Sequence, residues 1–161
     1  MYENRSIHVK QSVRLRAFTI PLSSANESHL MYGQSEAPVR VAAGIIKKDS
    51  DVLLCQRGIN HRYGLKWEFP GGKSYPDETM AECLERELGE ELGIVPLKSR
   101  ELKTVQAEYH DGGKFLITFF LVTEFSGEVV NKVFERVEWV PVSKLSSYDL
   151  LEGSFPILPH I

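Results

Sequence analysis

Apolar and polar positions are grouped along the chain in a way that predicts an ordered region beginning near Val39. Two aliphatic runs, VRVAAGII and VLLCQR, flank the polar segment KKDSD. Aliphatic and β-branched runs on either side of a short polar connection are typical of a β-hairpin. Residues 1–38 show no strong period, although RLRAFTI and HLMYG could form extra strands. We therefore predict an N-terminal extension at residues 1–38 and a domain at residues 39–161.

The clearest helix is predicted for residues 80–92. Thr79 and Glu82 have the spacing of a capping box, and Gly93 follows the last periodic position. At about 100° per residue, four apolar side chains form one core-facing stripe: Ala81, Leu84, Leu88 and Leu92. The preceding residues 58–79 hold four glycines and two prolines, which predicts a functional loop without a long regular element.

The pattern after the helix predicts a second hairpin. KTVQAEYH and FLITFFLVTEF flank the turn DGGK, and the second of these strands is apolar throughout, which predicts burial on both faces. RVEWVPV predicts a further strand, and residues 142–151 could form a second helix.

Composition and net charge exclude several classes of protein. The chain has 161 residues, the size of one domain, and a net charge of −3, too small for wrapping a nucleic-acid polymer or binding an anionic membrane. No apolar run reaches the roughly 18 residues that cross a bilayer, and the first residues lack a secretory h-region, so we expect a cytoplasmic location. Cys55 and Cys83 are predicted to be reduced packing residues. The oligomeric state stays open.

Acidic residues are concentrated in the predicted helix. Residues 78–91 contain six glutamates and one arginine, a local charge of −5. Helical geometry brings Glu87, Glu90 and Glu91 together beside the apolar stripe and turns Glu82 and Glu85 away. Carboxylates at this spacing repel one another, and hard divalent ions prefer such oxygen ligands. The alternative interpretation is a solvated acidic helix face.

The spacing around the helix resembles the Nudix box. The positions are Gly72, five residues, Glu78, seven residues, then Arg86, Glu87, Leu88, Glu90, Glu91, Gly93 and Ile94. Every specified position of the box is matched, with nine constrained positions in 23 residues. WEFPG, CQR, FFLV and VEWVP resemble the MutT-type branch of the Nudix hydrolases. The resemblance covers about residues 39–158.

The resemblance implies an α+β fold, an α/β/α sandwich with a mixed β-sheet flanked by helices. It also implies an enzyme that hydrolyses a nucleoside diphosphate linked to another group. Carried over by position, the implied Mg²⁺ or Mn²⁺ ligands are the carbonyl of Gly71 and the carboxylates of Glu87, Glu90 and Glu91. Arg86 would orient Glu87, which is the first choice for general base, and Glu90 is the second.

Residues outside the box receive roles from the same resemblance. Arg57 matches an arginine that contacts nucleotide in MutT-type enzymes, and Lys73 is either a phosphate contact or an exposed loop lysine. Trp67 and Phe69 are expected to form a wall of the site. Glu78 is expected to form an ion pair with Arg86.

The chain departs from the MutT pattern at two places. Val133 stands where a further metal-binding glutamate is expected, and Glu135 is the nearby substitute. The tail has Gly153 or Ser154 in place of the asparagine that reads an oxidised guanine.

We expect hydrolysis of a nucleoside triphosphate, including damaged or non-standard ones, to a nucleoside monophosphate and pyrophosphate. The alternative substrate is ADP-ribose or another nucleoside diphosphate sugar, but the proline expected for that activity is replaced by Tyr109, a residue type that also suits dinucleoside polyphosphate hydrolases. A catalytically silent nucleotide-binding module should have lost box glutamates, whereas this chain keeps them all.

Overall fold

The computed structural model describes residues 37–161. The strands that the sequence suggested within residues 1–38 lie outside the described residues. The described elements are β1 (Val39–Lys48), β2 (Asp51–Gln56), β3 (Trp67–Glu68), β4 (Gly71–Lys73), α1 (Met80–Leu92), β5 (Val95–Glu108), β6 (Lys114–Ser126), β7 (Arg136–Pro141) and two 3-10 segments, Val142–Ser147 and Glu152–His160.

The strands form one mixed sheet, as predicted. Its order is β3-β2-β1-β6-β5, with β4 paired to β1 and β7 paired to β2. β1 runs parallel to β6, and the other strand pairs in the described part of the chain are antiparallel. The middle parts of strands β1 and β6 are buried on both faces of the sheet. Their sequences are therefore continuously apolar rather than alternating.

A hydrophobic layer covers each face of the sheet. Helix α1 packs on one face through Leu84, Leu88 and Leu92, against residues that include Ile46 and Phe120. The C-terminal segments cover the other face, where the core consists mainly of Ile45, Leu54, Trp67, Phe69, Phe119, Leu150 and Ile157. The fold is therefore the predicted layered α+β architecture.

The predicted second helix at residues 142–151 is wrong as an α-helix. The chain forms a 3-10 segment at Val142–Ser147 and then extends at Tyr148. The following 3-10 segment contains Pro156 and Pro159, which lack the N–H groups that an α-helix needs. Within residues 37–161, no helix is long and apolar enough to span a membrane.

Helix α1 has the predicted ends and a slightly different buried face. Thr79 and Glu82 form the capping box, and the helix ends at Gly93 in the left-handed conformation. Ala81, predicted to face the core, is exposed because it lies in the first turn, and Cys83 is buried instead. Cys55 and Cys83 are both free and buried, as predicted.

The loop predicted at residues 58–79 contains two short strands that hold it to the sheet. β3 pairs with β2 and β4 pairs with β1, which places residues 71–73 directly beside α1. β5 begins at Val95, earlier than its predicted start at Lys103, and continues with irregular pairing along the sheet edge.

Candidate active site

Strand β4 and helix α1 meet at Gly72 and Glu87. A Cβ atom added to Gly72 would lie 2.3 Å from Oε1 of Glu87. The carboxylate therefore packs directly on the backbone of β4, and a larger side chain at this position would displace it. This contact gives a physical reason for the glycine at the start of the box.

Arg86 connects the loop before α1 to the carboxylates of the helix. Its Nε and Nη2 donate to the two carboxylate oxygens of Glu78 at 2.8 and 3.0 Å, which confirms the predicted ion pair. These bonds hold the pKa of Glu78 well below its usual range, at about 2. Nη1 donates to Oε1 of Glu87 at 2.8 Å and, more weakly, to Glu90 at 3.4 Å. Arg86 thus fixes one oxygen of Glu87 and leaves the other unconstrained by this contact.

Glu91 lies on the inner side of the helix and accepts a hydrogen bond from the backbone N–H of Gly71 at 3.0 Å. Burial, followed by the negative charges of Glu68 and Glu87, raises its pKa to about 8. Burial also raises the pKa of Glu68 to about 7, although Nη1 of Arg57 donates to both of its oxygens at 2.7 and 2.8 Å. The site therefore contains more negative charge than its arginines neutralise.

A cavity of about 300 Å³ opens beside this cluster. Its apolar side chains come mainly from β1, β6 and the C-terminal segment, and its polar side chains include the exposed Lys73 and the buried Ser154. Its lining residues are Val41, Ala43, Arg57, Arg62, Tyr63, Glu68, Phe69, Gly71, Gly72, Lys73, Tyr109, Phe115, Ile117, Phe119, Leu151 and Ser154. Gly71 and Gly72 line one side of the cavity while contacting Glu91 and Glu87 of the helix.

The predicted substrate residues Arg57, Lys73 and Phe69 all line this cavity. Trp67, which we expected to form a wall of the site, does not: its ring packs edge-on against Tyr148 with centroids 5.1 Å apart.

The acidic cluster suits a divalent cation through its chemistry. Among residues 37–161, no three His, Cys, Asp or Glu side chains already stand close enough to hold an ion. Helical spacing nevertheless puts Glu87, Glu90 and Glu91 on one side of α1. Burial and the charges of Glu68 and Glu87 raise the pKa of Glu91, and a nearby cation would favour its ionised form. Glu135 is exposed, and its backbone N–H donates to the carbonyl of Gln56. Its role as a ligand stays a prediction.

Four residues at the site were not selected from the sequence. These residues line the cavity or contact residues that do: Glu68, Arg62, Tyr63 and Asp111. The sequence around each of them gives only weak indications of a functional role. A glutamate in a two-residue strand and polar residues in loops are ordinarily solvated. Only the position of Glu68 between Trp67 and the box could have indicated a role.

The raised pKa values predict a pH dependence of stability in the metal-free protein. Glu68 and Glu91 stay protonated in the folded state up to about pH 7 and 8, whereas an unfolded carboxyl ionises near pH 4.3. Their contribution is complete below the unfolded pKa and is lost as pH rises through the folded values. We expect the melting temperature in chelator to fall by about 5 °C between about pH 5 and 8.5.

Thermal unfolding of two variants would check this pH dependence. Glu91→Gln should reduce the slope to the part that Glu68 contributes, while the exposed Glu85→Gln should keep the wild-type slope. The pKa of Glu78 is lowered to about 2, so Glu78 does not contribute to the change expected between about pH 5 and 8.5. A melting temperature that rises with pH in chelator would contradict the assignment.

Comparison with known protein families identifies the family of the described region. The family model described as "NUDIX domain" matches residues 38–161. An 8-oxo-dGTP diphosphatase of Proteus vulgaris is 40% identical over 95 residues, covering 58% of this chain and 84% of the relative. A CTP pyrophosphohydrolase of Escherichia coli K12 is 32% identical over 120 residues, covering 74% and 88%.

A solved structure has the same arrangement of elements. The crystal structure of a MutT NUDIX hydrolase from Burkholderia pseudomallei superposes with a TM-score of 0.72 at 25% identity. The match covers 78% of this chain and 99% of that one.

Proposed function

Because this chain belongs to the NUDIX family of hydrolases, we propose that it converts a nucleoside triphosphate into a nucleoside monophosphate and pyrophosphate. The observation that carries the proposal is the cavity of about 300 Å³ beside a carboxylate cluster with excess negative charge. The cavity can receive a nucleoside, and the cluster can receive a polyphosphate together with its cations. Similarity to proteins named for 8-oxo-dGTP and CTP supports triphosphates as the substrate class.

We assign the cation ligands to Glu87, Glu90, Glu91 and the carbonyl of Gly71, with Glu135 as a further candidate. Mg²⁺ or Mn²⁺ bound there would neutralise phosphate charge and lower the pKa of a coordinated water. A cation would also offset the burial and the neighbouring negative charges that raise the pKa of Glu91.

The side chains of the chain itself have separate tasks in this proposal. Glu87 is the general base: Arg86 holds its Oε1 at 2.8 Å, which leaves Oε2 to accept a proton from the attacking water. Glu90 is exposed and is the second candidate for the base. Lys73, at the junction of β4 and the cavity, is positioned to contact phosphate.

The nucleoside end of the substrate is assigned to the cavity. Phe69 is 3% exposed, and it lines the cavity together with Arg57. Ser154 is 5% exposed, and its hydroxyl can both donate and accept a hydrogen bond. Such a group can pair with either a carbonyl or an amino group, so we include damaged and non-standard bases among the substrates. The partner is accordingly a free nucleotide in the cytoplasm.

Hydrolysis in ¹⁸O-labelled water tests the proposed reaction. We expect the label in the nucleoside monophosphate, because attack at the inner phosphorus makes pyrophosphate the leaving group. ADP-ribose should be hydrolysed more slowly than 8-oxo-dGTP or CTP, because it carries fewer phosphate charges for the cation cluster. The products are measured by mass spectrometry, with a reaction in chelator as the control. Label found only in pyrophosphate would contradict attack at the inner phosphorus, and faster turnover of ADP-ribose than of every triphosphate would contradict the proposed substrate class.

A further inference from the structure

Two separate segments are joined at the mouth of the cavity by one carboxylate. Oδ1 of Asp111 accepts a hydrogen bond from Oη of Tyr63 at 2.6 Å, and Oδ2 accepts one from Nε of Arg62 at 2.8 Å. Asp111 also accepts the backbone N–H of Gly113 in its own turn at 3.1 Å. We call Arg62, Tyr63 and Asp111 the clamp. It connects the loop between β2 and β3 to the turn between β5 and β6.

The turn provides a fitted space for the Arg62 guanidinium. A Cβ atom on Gly113 would lie 2.7 Å from Nη2 of Arg62 and 2.9 Å from Cε2 of Phe115. The guanidinium carbon lies 4.9 Å from the ring centre of Tyr63 and 5.9 Å from that of Phe115. Glycine at this position, two aromatic rings and Asp111 together fix the guanidinium in one place.

The clamp belongs to the cavity rather than to the carboxylate cluster. Arg62, Tyr63 and Phe115 line the cavity together with Tyr109. The rings are in contact but tilted, because Tyr109 lies 4.9 Å from both Tyr63 and Phe115 with interplanar angles of 45° and 56°. The clamp therefore adjoins an aromatic side of the cavity, where a base can contact the face or the edge of a ring.

The charge of the clamp indicates what this wall can recognise. Asp111 neutralises Arg62, and the pKa of Asp111 is lowered to about 2, mainly by the Tyr63 hydrogen bond, so the pair stays ionised. Nη1 of Arg62 forms no hydrogen bond with any residue in 37–161. A neutralised guanidinium with a free N–H suits an uncharged acceptor, such as a base carbonyl or ring nitrogen, better than a phosphate.

We propose that Asp111 is a positioning residue for nucleoside recognition and that Arg62 contacts the base. This proposal rests on the proposed function, because it requires a nucleotide in the cavity. Asp111 acts by holding Arg62 and Tyr63 in place before the substrate binds, which lowers the cost of ordering the loop. Loss of the clamp should weaken binding of the nucleoside and leave the chemical step unchanged.

Steady-state kinetics with 8-oxo-dGTP and CTP provide the first test. Asp111→Ala should raise KM about tenfold and leave kcat within about twofold, since hydrogen bonds to charged groups have roughly this effect. Gly113→Ala should have the same effect by displacing Arg62 while Asp111 remains. Asp149→Asn is the matched control. Asp149 forms a 2.7 Å ion pair with Lys66 at the end of the same loop, and neither residue lines the cavity.

Product binding in the presence of Mg²⁺ provides the second test and separates the two ends of the substrate. The affinity for CMP and 8-oxo-dGMP should fall about tenfold in Asp111→Ala and in Arg62→Ala, by calorimetry, while the affinity for pyrophosphate stays unchanged. Arg62→Lys should restore little, because lysine lacks the planar group that both Asp111 and the rings hold.

The outcomes distinguish the clamp from the reaction. Unchanged KM and monophosphate affinity in both Asp111→Ala and Gly113→Ala would overturn the proposal, as would equal loss of pyrophosphate binding. If Asp111→Ala fails to fold, Gly113→Ala and Arg62→Ala decide. A wild-type protein that hydrolyses no triphosphate would contradict the proposed function. In that case, the monophosphate affinities of the variants relative to wild type would still test the role of the clamp.

Discussion

Glu91→Gln is expected to lower kcat about a thousandfold and to leave the fold intact. Glu91 is the innermost of the three helix carboxylates. One of its oxygens accepts a hydrogen bond from the N–H of Gly71, and its pKa is raised to about 8. The amide keeps the size of the side chain but removes the charge that we assign to holding a cation. Because that charge is unfavourable in the metal-free protein, its removal should not destabilise the fold at neutral pH.

Glu85→Gln is the control for this experiment. It makes the same chemical change on the same helix, at an exposed position outside the carboxylate cluster. The measurement is kcat with Mg²⁺ for both variants, together with their melting temperatures in chelator. Near wild-type turnover by Glu91→Gln on a confirmed substrate would remove Glu91 from the site.

Arg86→Lys is expected to lower kcat about thirtyfold even though the positive charge is retained. The guanidinium of Arg86 holds both oxygens of Glu78, one oxygen of Glu87 and the carbonyl of Lys73, and it lies 4.3 Å from the ring centre of Tyr75. An ammonium group cannot meet these directions together. Glu87 should lose its fixed orientation, and the loop before α1 should lose its attachment.

The matched comparison is Arg100→Lys, an exposed position on the edge strand β5. Turnover and thermal unfolding of both variants should show a loss of kcat and a lowered melting temperature for Arg86→Lys alone. If kcat and melting temperature are both unchanged, Arg86 is only a surface charge.

The helix and its carboxylates could be predicted from the sequence because their geometry is local. Residues 80–92 carry their own cap, apolar stripe and stop signal, and the spacing of Glu87, Glu90 and Glu91 fixes their common side. The first two strands and the second hairpin follow in the same way from short connections between apolar runs.

The clamp and the pair formed by Arg57 and Glu68 could not be predicted because they depend on contacts between distant segments. Arg62 and Asp111 are 49 residues apart in sequence. Neither belongs to a periodic element, so no local pattern indicates that they meet. The 3-10 segments were missed for a related reason: apolar spacing alone does not distinguish an α-helix from a tighter turn.

The parallel pairing of β1 with β6 has a consequence for the order in which the chain can acquire activity. Helix α1 and the β5–β6 hairpin are local and can form early, but β1 must wait for β6, a partner that is distant in sequence. β4, which holds Gly71 and Gly72 against the helix carboxylates, is itself paired to β1. A chain still emerging from the ribosome therefore lacks the ordered site until β6 has been synthesised. The onset of hydrolysis during translation should therefore follow the pairing of β1 with β6 rather than the appearance of the box.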